Sequence, residues 1–217
     1  RIYKATRKQN LIPDGDFEYI TYDNIDKIAD FTDIIINTTP VGMFPNTDAS
    51  PINISLFKSL SAVVDAVYNP LKTKLVYTAE KENIPAETGL YMLVSQAVKA
   101  AELFTGEKIS EETLNKIFSD ILKSKQNIVL IGMPGCGKTT VGKLLAERTE
   151  KTFADTDELI EKEYGHPSKI IREHGEKYFR EIESKVISEL KNDTAKVIAV
   201  GGGAVLREEN IENLKKN

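Results

Sequence analysis

The run Gly132-Met133-Pro134-Gly135-Cys136-Gly137-Lys138-Thr139 matches the pattern G-x-x-x-x-G-K-[ST] in full. Glycines at 132, 135 and 137 let the backbone curl so that its N–H groups point at phosphate oxygens. A helix starting at Lys138 adds the positive end of its dipole at the same place. Lys138 is then placed to reach the β- and γ-phosphates of ATP, with the Thr139 hydroxyl on Mg²⁺ and Thr140 beside it. Both flanks agree with this reading. An apolar run at 128–131 precedes the loop, and Val141, Leu144 and Leu145 share one face of the segment after it. Cys136 counts with the ATP-binding positions as a small occupant, not as a redox centre.

Such a loop indicates a nucleotide but no reaction. Most ATPases of this kind hold magnesium with an acidic residue at the end of an apolar strand. Here the apolar run 197–200 ends in Gly201-Gly202-Gly203, which leaves bare backbone for a small substrate to approach. A small-molecule kinase is therefore expected, not a motor or a switch. Asp155 and Asp157 lie two apart after Thr152-Phe153-Ala154 and face the same way if the segment is extended. One would face hydrated Mg²⁺ and the other accept a proton from a substrate hydroxyl. Equally, both would serve as capping acids ahead of Leu159 and Ile160. Arg180 and Glu183 are neighbours at i,i+3 on a helix whose other face is Phe179, Ile182, Val186 and Leu190. They make either an ordinary surface ion pair or a guanidinium held ready to clamp a substrate carboxylate. His166 and His174 lack metal-ligand spacing and are read as structural.

The elements that must carry these residues alternate along the chain. Strands are expected at 1–6, 17–20, 33–37, 62–67, 84–87, 127–131 and 196–200. Helices are expected at 24–31, 73–82, 90–105, 111–123, 138–149, 167–190 and 207–216. That order belongs to an α/β fold with largely parallel sheets. A short polar link at 123–126 divides it into two consecutive units, 1–123 and 126–217, the first ending in a helix that Ser110 caps ahead of Glu111 and Glu112. In the first unit, 33–43 reads as a buried strand running into a polar turn at Thr38. The segment 63–70 ends in Tyr68 and Asn69. At 89–96, Gly89 opens a helix that places Gln96 about two turns in, with Leu90, Val94, Ala97, Ala101 and Phe104 as its buried stripe. Ligands bind at the carboxyl ends of strands in open α/β sheets, though each segment taken singly is also an ordinary strand-end turn.

Composition bounds the rest. The 217 residues are 41% hydrophobic and 29% charged, which excludes wholesale disorder. Up to position 125 there are 14 basic against 17 acidic residues, and after it 15 against 16. Neither unit has the basic surplus that nucleic acid or an anionic membrane requires. No apolar run approaches the ~18–20 residues of a bilayer span. A lone cysteine excludes an internal disulfide and fits a cytoplasmic protein. The chain opens on Arg1 within a strand-like run and reaches Asn217 within a helical one, so an internal piece of a longer protein is expected.

From Asn127 onward the sequence resembles shikimate kinase. The resemblance is carried by the phosphate loop, Phe153-Ala154-Asp155-Thr156-Asp157, Gly175-Glu176 with Phe179-Arg180 and Glu183, and the three glycines at 201–203. It implies catalytic roles for Lys138, Asp157 and Arg180 in transfer of the ATP γ-phosphoryl to a shikimate hydroxyl. Asp155 would sit on the Mg²⁺ side, Asp157 on the shikimate hydroxyls, Arg180 on the shikimate carboxylate, and Gly202 and Gly203 against the ring. Ile171 departs from the family, which usually has Phe there.

Residues 1–123 resemble the C-terminal, NADP-binding part of shikimate dehydrogenase through the three segments described, in order. This implies Tyr68 and Gln96 at the shikimate end and Gly89 near the nicotinamide. Thr38 would also bind NADP, and Thr6, Arg7 and Lys8 would lie near the adenosine 2′-phosphate. The G-x-G-x-x-G turn, its preceding strand and the substrate domain with the family's catalytic Lys and Asp do not occur here, so hydride transfer by this chain is not expected. The kinase lid and later arginines would follow Asn217, so poor turnover is expected too. The two resemblances together imply a bifunctional fusion, an incomplete Rossmann-like domain followed by an incomplete phosphate-loop kinase domain. Its substrates would be shikimate and 3-dehydroshikimate, on the route to chorismate and aromatic amino acids, with the kinase part monomeric. A gluconate kinase-like enzyme and a non-catalytic nucleotide-binding fragment are the alternatives.

Overall fold

The structure is a computed structural model that describes residues 1–7 and 15–217. Lys8 and most of the connection at 8–16 lie outside the described residues. Strands β1 (Ile2–Thr6) and β2 (Phe17–Thr21) pair in parallel with Ile2 opposite Phe17. The helix expected at 24–31 shrinks to α1 (Asp26–Ala29) behind a 3-10 turn at Tyr22–Asn24. Only Ile28 and Ala29 of α1 are buried, too little apolar surface to carry a longer helix against its nucleation cost.

A second parallel sheet follows in the order β3 (Ile34–Asn37), β4 (Ala62–Asp65), β5 (Ala86–Glu87). Helix α2 (Lys74–Lys81) covers it, with the Thr73 hydroxyl accepting from Val76 N. Ile54, Val63, Leu75 and Ala79 form the core between them, each large side chain there contributing roughly 1.5–3 kcal/mol through burial. Strand β3 is not buried on both faces as expected, since Ile34 and Ile36 are 55% and 63% exposed while Asn37 is buried. Among the described residues it pairs only with β4, and alternation leaves its other side chains toward solvent.

Helices α3 (Gly89–Thr105) and α4 (Glu111–Lys125) pack as a hairpin around Leu71, Leu90, Val94 and Val98. The expected stripe is rotated. Val98 takes the place assigned to Ala97, and Phe104 is 90% exposed. Apolar periodicity alone left two overlapping stripes, and α4 covers the one through Val98. Ser110 caps α4 by accepting from Thr113 N at 3.2 Å.

The helix runs to Lys125, and β6 (Ile128–Leu130) begins three residues later. Then come α5 (Lys138–Arg148), β7 (Thr152–Asp155), α6 (Thr156–Tyr164), α7 (Pro167–Leu190), β8 (Lys196–Ala199) and α8 (Glu208–Leu214). The three strands form a parallel sheet in the order β6-β8-β7. Two core clusters form around it: Ile187, Leu190, Ile198, Val200, Ala204 and Leu214 pack α7 and α8 with β8 and the turn after it, and Ile160, Ile170, Phe179, Ile182 and Val186 pack α6 with α7. Helix α6 and strand β7 were absent from the expected elements. Helix α7 is not continuous, because Gly175 sits at φ 85° and ψ 163° and breaks it. No helix among the described residues is long and apolar enough to cross a membrane.

Candidate functional site

The phosphate loop joins β6 to α5 as its sequence requires. Gly137 precedes α5 in the left-handed region, at φ 87°, where other residues are strained. No side chain caps α5, so its first-turn N–H groups lack intrahelical partners and face the loop. Lys138 folds over that loop, its Nζ donating to the carbonyls of Gly132 (2.9 Å) and Met133 (3.0 Å). Cys136 is exposed, with its sulfur 3.9 Å from Lys138 Nζ, and Thr140 is exposed on the first turn of α5.

Asp155 ends β7, caps the helix that follows and reaches the phosphate loop. Its Oδ1 accepts from Asp157 N (3.0 Å) and Glu158 N (3.4 Å), capping α6. Its Oδ2 accepts from the Thr139 hydroxyl at 2.7 Å, which ties β7 to the phosphate loop. Asp157 lies in the first turn of α6, not in an extended segment, because the chain turns helical at Thr156. Among the described residues no group of three His, Cys, Asp or Glu side chains is placed to hold a metal. Thr139 and Asp155 do offer a hard oxygen pair, which suits a Mg²⁺ ion that keeps several of its waters.

Arg180 and Glu183 are no surface pair. Glu183 is fully buried, and its Oε2 accepts from Arg180 Nη1 at 2.9 Å. Arg180 Nη2 donates to Glu176 at 3.1 Å. The other Glu183 oxygen is buried without a partner. Burial pushes the Glu183 carboxyl above the usual carboxylate range, with Arg180 pulling the other way. Burial, and then Asp155, push Asp157 upward against the pull of Lys138 and Arg180. Two carboxyls and two cations therefore share one field.

The turn after β8 lies between these groups. A Cβ on Gly201 would meet Glu183 Oε1 and come within 3.0 Å of Asp157 Oδ1. One on Gly202 would come within 3.0 Å of Pro134 in the phosphate loop, and one on Gly203 would overlap the Arg180 guanidinium. Gly203 has an ordinary φ of −98°, so space and not backbone freedom requires glycine there. The structure thus brings Lys138, Thr139, Asp155, Asp157, Arg180, Gly202 and Gly203 to the carboxyl ends of β6, β7 and β8. Ile171 is 40% exposed on the first segment of α7. His166 caps α7 by accepting from Ser168 N, and His174 stacks near Tyr178.

Sequence reasoning missed two supports of this site. Thr156 is fully buried and its Oγ1 accepts from Gly201 N at 3.1 Å. Arg207 donates to the Arg180 carbonyl and to Ser184, both at 3.1 Å, bracing α7 from α8's side. A hydroxyl between two acids was the available signal for the first, and nothing in the sequence marked the second.

The first unit is less convergent. Thr6 and Arg7 end β1 in the two-stranded sheet, whereas Thr38 follows β3 in the other sheet. Arg7, Thr38 and Gln96 are exposed, and Tyr68 is 43% exposed. Gly89 is buried where a Cβ would overlap the Ala66 carbonyl, so close packing of α3 on the end of β4 explains it. What organises these turns is a buried network that the sequence did not reveal. Asp65 accepts from Asn37 Nδ2 (2.9 Å), Val67 N (3.0 Å) and Thr73 Oγ1 (2.7 Å), linking the ends of β3 and β4 to the start of α2.

Comparison with known proteins finds two kinds of relative. A family model for shikimate kinase matches residues 134–217. Shikimate kinase of Caldicellulosiruptor bescii is 48% identical over 93 residues, covering 42% of this chain and 54% of that protein. Shikimate dehydrogenase (NADP(+)) of Methanosphaera stadtmanae is 41% identical over 111 residues, covering 49% of this chain and 39% of that protein. The crystal structure of shikimate dehydrogenase 1 from Peptoclostridium difficile superposes with a TM-score of 0.50 at 33% identity, over 55% of this chain and 44% of that one. The chain spans about half the length of the curated relatives it matches. Residues 134–217 thus match the shikimate kinase family model, and the chain is also similar to shikimate dehydrogenase, which fits the arrangement of a dehydrogenase–kinase fusion.

Proposed function

We propose that the second unit supplies the nucleotide and acceptor side of a shikimate kinase, which converts shikimate to shikimate 3-phosphate. The first unit is then the NADP-binding part of a shikimate dehydrogenase acting on 3-dehydroshikimate and shikimate. One observation carries the kinase reading: the phosphate loop, Asp157 and the Glu183-held Arg180 meet around the turn at 201–203. In this reading the α5 amides, Lys138, Thr139 and Thr140 hold the ATP phosphates. Mg²⁺ at Thr139 and Asp155 would neutralise the phosphate charge. Asp157 accepts the proton of the acceptor hydroxyl, a task its raised pKa suits. Arg180 pairs with the acceptor's carboxylate, kept in plane by Glu183 and Glu176. The bare backbone of Gly202 and Gly203 lets the acceptor ring approach. Chemistry then rests on positioning and charge.

NADP contacts at Thr6, Arg7, Thr38 and Gly89, and shikimate contacts at Tyr68 and Gln96, belong to the same proposal, as do a cytoplasmic location and a monomeric kinase part. The test is a coupled ADP-release assay on a longer protein containing this sequence, with shikimate and with ring alcohols lacking the carboxylate. Turnover that requires the carboxylate and disappears in Arg180→Ala supports the reading. Equal turnover of both acceptors refutes it.

A further inference from the structure

The two units also meet away from both candidate sites. The seam lies between the turns near Asp48 and Leu71 of the first unit and the ends of α7 and α8 of the second. Leu71 N donates to Asn217 Oδ1 (3.0 Å) and Lys72 N to the Lys216 carbonyl (2.8 Å). Two consecutive amides of the turn that follows Tyr68, Asn69 and Pro70 therefore end on the second unit. Asp48 accepts from Lys191 Nζ (2.6 Å) and Lys216 Nζ (2.7 Å), one on each oxygen. Thr47, fully buried, bonds Asn192 at 3.1 Å, and Lys81 pairs with Glu208. Within the second unit, Asn217 Nδ2 donates to the Lys191 carbonyl at 3.0 Å, which sets both docking groups in place.

Burial separates this seam from a casual touch. The Lys216 side chain is 3% exposed while Asp48 is 66% exposed. Lys216 is thus buried almost whole, with its ammonium on the more exposed Asp48 carboxylate. Asp48 chiefly prevents two converging lysines from repelling each other, and they in turn hold its carboxyl at about 2. A separate attachment lies at the link, where Lys151 Nζ donates to the carbonyls of Lys123 (2.7 Å) and Ser124 (3.0 Å) at the end of α4. Rotating one unit against the other must break one of the two attachments.

We propose that this seam is a docking surface built for the chain's own second unit, which braces the turn after β4 and makes the two units one body instead of two domains on a hinge. The inference rests on the seam alone and is independent of the activities proposed above.

Amide hydrogen exchange on the isotope-labelled 217-residue chain tests it. Leu71 and Lys72 are expected to be protected. Asp48→Lys sets a third cation against Lys191 and Lys216 and should speed exchange at both amides about tenfold, within the range of coupled neighbours. Val94 in α3 and Ile198 in β8 should keep their protection. Adding Lys216→Met, which retains the stem and removes one charge, should slow exchange at Leu71 and Lys72 again. Asn217→Ala, which deletes the acceptor without adding charge, should release Leu71 even if the charge reversal unfolds the chain. Unprotected Leu71 and Lys72 in the unsubstituted chain, or rates unmoved by both Asp48→Lys and Asn217→Ala, would overturn the proposal.

Discussion

Thr156→Val puts the architecture of the kinase site to a direct test. The Thr156 hydroxyl accepts from Gly201 N at 3.1 Å, with both residues buried. This bond ties the end of β7 to the end of β8, the two strands that carry Asp155, Asp157 and the three-glycine turn. Valine has nearly the same shape and no acceptor, so the Gly201 N–H is left unpaired where water does not reach. Such an orphaned buried donor costs about 1–3 kcal/mol. At roughly 2 kcal/mol, a chain of this size should melt about 4–8 °C lower. Thr156→Ser is the control, since it keeps the oxygen and loses one buried methyl, worth about 1 kcal/mol or 2–4 °C. Thermal and urea melts followed by far-UV circular dichroism should rank the parent chain first, serine second and valine last. If the valine variant melts at or above the serine variant, the tether is not made and the account of how the glycine turn is held fails.

Three further outcomes are expected. In the longer protein, Lys138→Ala should lower kcat by about 10²–10³, the usual loss on removing an oriented charge donor, and an unchanged kcat would sink the nucleotide assignment. Gly203→Ala should displace the Arg180 guanidinium from Glu183, weakening acceptor binding while nucleotide affinity, measured by titration calorimetry, stays as it was. Asp157 has a pKa raised on folding, so the native state binds more protons than the unfolded chain between the ordinary and the raised value. Stability must then fall as pH rises through that window. Asp157→Asn should consequently be more stable than the parent at pH 7, with the gap closing below about pH 4. The gain should be modest because solvent still reaches the group, and urea midpoints at the two pH values measure it.

The loop at 132–139 was legible because its chemistry is local: glycines, a lysine and a hydroxyl within eight consecutive residues, between a strand and a helix that short-range periodicity also reveals. The α/β alternation was legible for the same reason. Convergence was not. Arg180 and Glu183 read equally well as a surface bridge until packing of α7 against β8 buried Glu183. Asp155 read as either a helix cap or a metal-side acid; folding shows one oxygen capping α6, and only the approach of α5 puts the other on the Thr139 hydroxyl. The stripe of α3 was misplaced because two apolar rows overlap on it and α4, the next helix along the chain, selects between them. Asp65, with donors from β3 and α2, and Lys216, whose burial depends on residues more than a hundred positions earlier, carried no local mark at all. Sequence by itself determined the chemistry available and the order of the elements, since both depend on neighbours within a turn or a strand. Tertiary structure alone decided which charges are buried, which oxygens are shared and how one unit rests on the other, because those follow from contacts between residues far apart in the chain.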